Sequence, residues 1–274
     1  MYQKKTPKSQ EPAKSWYTIH HCHDIPEPKK WYENTDHIKI LSVDPGRRNF
    51  CLRIENRDLK TGRIATIAFQ KIDFIGENVE DTIMNIDTMY IKVTTLLDNY
   101  LPEIKSCHVV IIERQLSINY KMVRLSQHVI TYLIVHLRNN LLKTVIMEIS
   151  SKLKSKQLYA PKGISEKEIK KWSIVKAIEL LKIRKDDYAI DIINKAAKSK
   201  KDDLADTVVQ IEAVFSLLGL PLTEEPKPIK VDNLESLIQM KPIAAKINLD
   251  TLPIKTLHID TSVNLNLNSI LTNK

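Results

Sequence analysis

The chain has 274 residues, 43% of them hydrophobic, and no apolar run approaches the ~20 residues that a membrane-spanning helix needs. Forty-two Lys and Arg against 33 Asp and Glu leave a formal charge of +9, which argues against basic partners and for polyanions, nucleic acid ahead of an anionic membrane surface. Three cysteines, odd in number and widely spaced, fit free thiols in a reducing compartment better than a disulfide framework.

Residues 1–15 are rich in Lys and Gln and poor in apolar anchors, so a disordered basic arm is expected there. The arm lacks the apolar core of a signal peptide, and without Arg it is a poor match to a mitochondrial presequence. A soluble, intracellular protein is expected. His20, His21, Cys22, His23 and Asp24 are adjacent rather than spaced as in zinc sites, and their side chains diverge. Trp16, Tyr17, Trp31 and Tyr32 are expected to cover an edge of the core. From residue 38 the pattern is that of strands: 38–43, 50–54 and 64–74, with turns at Pro45-Gly46 and Lys60-Thr61-Gly62. These make an antiparallel meander. Val79, Ile83, Ile86, Met89, Val93 and Leu97 then mark a helix over 78–100, ended by Pro102.

Val109-Val110-Ile111-Ile112 is a continuous apolar run, the mark of a strand covered on both faces, and it stops at Glu113. A helix over 121–141 and a fifth strand over 143–149 follow. Residues 150–162 place Lys152, Lys154, Lys156 and Lys162 among small polar residues, a loop suited to phosphate contact. Ser165-Glu166-Lys167-Glu168 has the form of a capping box and opens a helix to about residue 183. A short helix over 186–198 and a last helix over 202–218, stopped by Gly219 and Pro221, complete the periodic part. The expected organisation is an N-terminal extension over 1–36, one α/β domain over 37–220, and a linker and extended tail over 221–274. The domain is a mixed five-stranded sheet flanked by helices.

Asp44 and Glu113 both end apolar strands. In the last helix Asp203 and Asp206 lie about 60° apart around the axis, off the apolar stripe of Leu204, Val208, Ile211 and Phe215. Asp203 near a helix N-terminus is also suited to capping, but Asp206 lies inside the helix and has no such explanation. If the first and fourth strands are neighbours, Asp44 and Glu113 sit about 5 Å apart. Converging carboxylates repel unless a cation intervenes, and hard oxygen donors suit Mg²⁺ or Mn²⁺ rather than zinc. Two such ions ~4 Å apart serve phosphodiester hydrolysis. A basic protein with such a site reads as a metal-dependent nuclease.

Three segments carry a resemblance to a known family: Ser42-Val43-Asp44-Pro45-Gly46-Arg47-Arg48-Asn49, Val110-Ile111-Ile112-Glu113-Arg114-Gln115, and Lys200-Lys201-Asp202-Asp203-Leu204-Ala205-Asp206. In order and context they resemble the RuvC-like branch of the RNase H-like superfamily, closest to the poxvirus and giant-virus Holliday junction resolvases and their mitochondrial relatives. The resemblance covers about residues 38–219. It implies an RNase H-like fold and two Mg²⁺ ions, with Mn²⁺ as substitute, held by Asp44, Glu113, Asp203 and Asp206. Asp202, four residues before Asp206, is the alternative to Asp203. It also implies a homodimer that nicks a four-way DNA junction symmetrically in recombination or genome resolution. Its setting would be a viral replication site in the host cytoplasm, with the mitochondrion as the alternative. Arg47, Arg48, Arg114, Lys152, Lys154, Lys156, Lys200 and Lys201 are the expected DNA-backbone contacts, with Gln115 orienting the phosphate or Glu113. Val208 stands where some bacterial members carry a histidine.

Other readings of the same residues meet obstacles. RNase H proper carries its glutamate on a helix, and proofreading exonucleases need an acid where Gly46 stands. Actin-like ATPases need a second glycine-rich phosphate loop, whereas the five glycines here are spread singly. A junction-binding protein without catalysis would use the basic surplus but not four acids.

Overall fold

The computed structural model of the chain describes residues 16–20, 35–76, 86–197 and 201–220. The basic arm, residues 21–24 of the His-Cys-His stretch, Trp31, Tyr32, residues 78–85 of the first expected helix, Lys200 and the tail over 221–274 lie outside them.

Among the described residues the strands are β1 (Tyr17–His20), β2 (His37–Asp44), β3 (Phe50–Asp58), β4 (Ile64–Ile72), β5 (Val109–Arg114) and β6 (Val145–Ser150). They form one mixed sheet in the order β1-β6-β5-β2-β3-β4. β2, β3 and β4 are the antiparallel meander, and β5 and β6 run parallel to β2. This is the expected mixed sheet flanked by helices, with one strand more than expected. The extra strand, β1, pairs antiparallel with β6 at the sheet edge. At four residues with no fully buried position, it is too short for alternation to reveal it in the sequence.

The period-two rule sorts the core. Ile38 and Ile40 of β2, Val109 and Ile111 of β5, and Val145, Met147 and Ile149 of β6 face one side. That side is covered by α4 (Lys152–Gln157), α5 (Glu166–Ile183), α6 (Asp187–Lys195) and α7 (Lys201–Leu218). Leu41, Val43, Val110, Ile112 and Ile146 face the other, under α1 (Ile86–Asn99), α2 (Leu101–Lys105) and α3 (Tyr120–Leu137). β2 and β5 are thus buried on both faces, as their unbroken apolar runs require.

Several boundaries shift for local reasons. Pro102 opens α2 instead of only ending α1, since its missing N–H is harmless in a first turn. α3 stops at Leu137, and Leu141, expected inside it, is fully exposed. Residues 152–157 of the expected lysine-rich loop are helical, because Leu153 and Leu158 are buried in the core and anchor the turn. The α5 capping box forms as read. Ser165 accepts from the Glu168 amide, and the Glu168 carboxylate accepts from the Ser165 amide at 2.7 Å.

Beneath α7 the sheet is charged rather than apolar. Arg53, Glu55 and Arg57 alternate along β3 on the α7 side and are buried, together with Arg184, Asp186 and Glu212. Arg53 bridges Glu55 at 2.8 Å and Asp186 at 3.0 Å, and Arg57 bridges Glu55 at 2.8 Å and Glu212 at 2.7 Å. Arg184 closes the chain on Glu212. Asp186 also caps α6, accepting from the Ala189 amide at 3.1 Å. Burial would raise the Glu55 carboxyl, but Arg57 and Arg53 outweigh it and hold it below the ordinary range. Glu55 therefore stabilises the fold above the ordinary glutamate range and ceases to do so as pH falls through its lowered folded value.

Removing one partner strands the others in a dry interior. Glu212→Ala should lower the unfolding free energy by about 3–5 kcal/mol, measured by urea denaturation in metal-free buffer. A loss under about 1 kcal/mol, the worth of an exposed pair, would contradict this account of the network.

Candidate metal centre

Register places the first acids. Val43 of β2 pairs with Ile112 of β5, so Asp44 and Glu113, one step further, stand side by side at the ends of parallel strands. Both fall on the side covered by α7. Asp44 pairs across β3 with Cys51, and Cys51 pairs across β4 with Lys71. Glu113, Asp44, Cys51 and Lys71 therefore form a row across four strands. The turn after Asp44 is tight, since a Cβ on Gly46 would meet the Asn49 carbonyl oxygen at 2.8 Å. That contact is why glycine follows Pro45 here.

α7 brings the third carboxylate. Ligand oxygens of Asp44, Glu113 and Asp206 lie within 4.8 Å of one another. Asp203, one turn earlier, stands outside that group and is ion-paired with Lys71. Asp202 turns to Lys170 on α5 at 3.3 Å. Of the two neighbours, Asp203 is the one whose charge reaches Asp44.

Lys154, expected as a DNA contact, and two side chains that the sequence did not single out, Gln210 and Ser173, complete the cluster. Lys154 of α4 is 6% exposed, and its ammonium lies 2.5 Å from Asp206 Oδ2 and 3.3 Å from Glu113 Oε2. Gln210 of α7 donates to Glu113 Oε2 at 2.5 Å and accepts from Ser42 Oγ at 3.0 Å. Ser173 of α5 donates to Asp206 Oδ1 at 2.5 Å. The only sequence signal of Gln210 and Ser173 is polarity between apolar neighbours, as at Gln210 between Val209 and Ile211.

Electrostatics follow from crowding. Burial, then Glu113 and Asp206, push the Asp44 carboxyl well above the ordinary aspartate range. Burial raises Glu113 too, against the opposing pull of Lys154. For Lys154, burial alone would lower the ammonium, but Glu113 and Asp206 more than reverse it. An ammonium lodged between two carboxylates shows that the cluster accepts a cation. The donor set is all carboxylate oxygen, which matches a hard divalent ion. Asp44, Glu113 and Asp206 fit as its ligands.

The other expected contacts are placed differently from one another. Lys154 and Arg47 are buried, so neither offers a charge to a duplex from this arrangement, contrary to the expectation that both meet the DNA backbone. Arg48 donates to the Gly76 carbonyl at 2.9 Å and meets Asp73 at 3.5 Å. Arg114 lies 3.7 Å from Glu148 and bonds Thr18. Gln115 bonds the Glu113 carbonyl at 3.3 Å, orienting the strand end rather than the carboxylate. Lys152 and Lys156 are exposed, Lys156 over the Trp16 ring at 4.3 Å. Lys201 donates to the Asn194 carbonyl. A cleft of about 390 Å³, lined by Arg48, Lys71, Asp73 and Lys195 among others, borders the Lys71–Asp203 pair.

No protein-family model and no curated protein matches the chain. Among solved structures it is similar to the fowlpox virus resolvase in complex with substrate Holliday junction DNA, at 25% identity, over 66% of this chain and 99% of that one, with a TM-score of 0.44. A further structure of the fowlpox virus Holliday junction resolvase has the same identity and coverage, with a TM-score of 0.43. T. thermophilus RuvC in complex with Holliday junction substrate is similar at 9% identity, over 68% of this chain and 99% of that one, with a TM-score of 0.40.

The raised Asp44 carboxyl makes a thermodynamic prediction. A raised folded value favours the fold below the ordinary aspartate range, and that gain is lost as pH rises through the raised value. In metal-free buffer near pH 8, Asp44→Asn should therefore melt about 2–4 °C above the unmodified chain. The gap should close on acidification. Differential scanning fluorimetry across a pH series with EDTA measures it, and an Asn variant that melts lower throughout would contradict the reading.

Proposed function

We propose that this chain is a metal-dependent, structure-selective endodeoxyribonuclease that resolves four-way DNA junctions. The observation that carries the reading is the meeting of Asp44, Glu113 and Asp206, from two parallel strands and the last helix, around one point beside a buried ammonium. The basic surplus of the chain supports a DNA substrate, and the three motifs quoted above support a junction as its form. Two-fold symmetry in such a junction is met by a homodimer with one site per protomer.

In this reading Asp44, Glu113 and Asp206 hold Mg²⁺ or Mn²⁺. Asp203 is available for a second ion once Lys71 releases it. The bound cation supplies activation of water and neutralisation of charge on the phosphodiester. The chain's own groups do the rest. Gly46 lets the backbone after Asp44 turn sharply, which leaves the strand end open to a phosphate. Lys154 balances part of the acid cluster and keeps Glu113 and Asp206 facing one another across its ammonium. Exposed Lys152 and Lys156 lie on the short helix that also carries Lys154, and in this reading they meet the DNA backbone.

Asp44→Asn and Glu113→Gln should each lower junction cutting about a thousandfold, a loss of ~4 kcal/mol of transition-state stabilisation, while junction binding by gel shift persists. The purified chain with Mg²⁺ is given a four-way junction, a plain duplex and an RNA–DNA hybrid in parallel. Symmetric nicks confined to the junction support the reading, and equal or better cutting of the hybrid or the duplex rejects it. Loss of junction binding instead of cutting in Asp44→Asn would point to a binding protein. The affinity should also fall linearly on a logarithmic salt scale, with a slope set by the number of phosphates contacted.

A further inference from the structure

Gln210 and Ser173 are both 0% exposed and sit on different helices. Neither can reach DNA. Each donates to one oxygen of a carboxylate in the metal centre, Gln210 to Glu113 Oε2 and Ser173 to Asp206 Oδ1, both at 2.5 Å. We infer that Gln210 and Ser173 are positioning residues, each reserving one carboxylate oxygen for the protein and leaving the opposite oxygen, Glu113 Oε1 or Asp206 Oδ2, as the ligand atom for the cation. The inference rests on the metal-centre reading above and adds which atom of each acid binds and what fixes it.

The chemistry of the donors supports the division of labour. An ionised carboxylate only accepts, so the Gln210 amide must present its N–H to Glu113 and its carbonyl to Ser42, whose hydroxyl then donates. The result is one directed chain from Ser42 Oγ through the Gln210 amide to Glu113 Oε2. Its anchor is secure, because Ser42 lies in β2 two residues before Asp44 and on the same face. Gln210 follows Asp206 by one helical turn, so α7 carries both a ligand and the group that orients the ligand opposite. Glu113 Oε2 also receives the Lys154 ammonium at 3.3 Å, so that oxygen has two donors and Oε1 has neither of them.

Asp206 is arranged differently. Ser173 holds Oδ1, while Lys154 holds Oδ2 at 2.5 Å. Cation binding at Asp206 therefore exchanges with Lys154 at Oδ2 and leaves the serine contact in place. A buried hydroxyl and a buried amide each need a partner; here those partners are metal-binding carboxylates rather than backbone.

Mn²⁺ binding to the full-length chain, followed by the electron paramagnetic resonance signal of free Mn²⁺, tests this without reference to activity. Gln210→Met keeps the side-chain length and removes both amide groups, and Ser173→Ala removes only the hydroxyl. Each should raise the Mn²⁺ dissociation constant about ten- to a hundredfold, as outer hydrogen bonds to metal ligands do. Junction affinity should be unchanged, and cutting should recover as Mn²⁺ is raised to saturation. Dissociation constants within about twofold of the unmodified chain, with or without a shift in metal-free melting, would overturn the inference. If Gln210→Met does not fold, Ser42→Ala replaces it: weaker Mn²⁺ binding supports the directed chain, and unchanged binding overturns the Gln210 half. Failure of the metal-centre reading has another signature, since then Asp44→Asn binds Mn²⁺ as tightly as the unmodified chain.

Discussion

Like charges held within 4.8 Å of one another must be offset by something positive, and the arrangement of this molecule follows from how that is done. Asp44, Glu113, Asp203 and Asp206 gather at one rim of the sheet, and Lys154 and Lys71 are ion-paired with members of that group. The offset is partial. The rim keeps a negative excess, felt most at Asp44, and that excess is what a divalent cation can relieve. An evenly balanced cluster would be more stable and would have no reason to bind one.

The same sheet face contains a cluster of the opposite kind. Arg53, Arg57 and Arg184 are matched by Glu55, Asp186 and Glu212, three of each sign, in one ion-paired chain under the middle of α7. Glu212 belongs to this neutral network, and Asp206, six residues earlier on the same helix, belongs to the unbalanced one. The helix is thus clamped along one stretch by paired charges and holds its acids against their mutual repulsion along the next. Arg57 over the Phe215 ring at 4.1 Å and Arg53 over Phe69 at 4.7 Å add apolar cover to the clamp. Position at the rim depends on rigidity below it.

Much of this was legible in the sequence where a residue's role follows from its neighbours along the chain. Asp44 and Glu113 end unbroken apolar runs, and such runs mark central strands, so their side-by-side placement follows once β2 and β5 are neighbours. Asp206 stands out because nothing local explains an acid in mid-helix. What stayed hidden depends on contacts between distant segments. Arg53, Glu55 and Arg57 take every second position as they would on a strand with one wetted face, and only the covering helix makes them interior. Lys154 is one lysine among several in a polar stretch until Leu153 and Leu158 turn that stretch into the core. Ser173 and Gln210 have no meaning before α5 and α7 are laid over the strand ends. β1 is simply too brief to show its alternation.

Cys51 stands between Asp44 and Lys71 in the row that crosses the sheet, free, buried and directly beside the acids. Burial, with Asp44 and Asp203 next to it, pushes its thiol far above the range in which thiolates form. Peroxide and disulfide exchange act on the thiolate, so this sulfur is shielded from both by its burial first and then by the charge of the neighbours it would otherwise endanger. The rim can therefore tolerate an oxidising episode that would convert an accessible, ionised cysteine in the same place into a sulfenic acid and wedge it among the carboxylates.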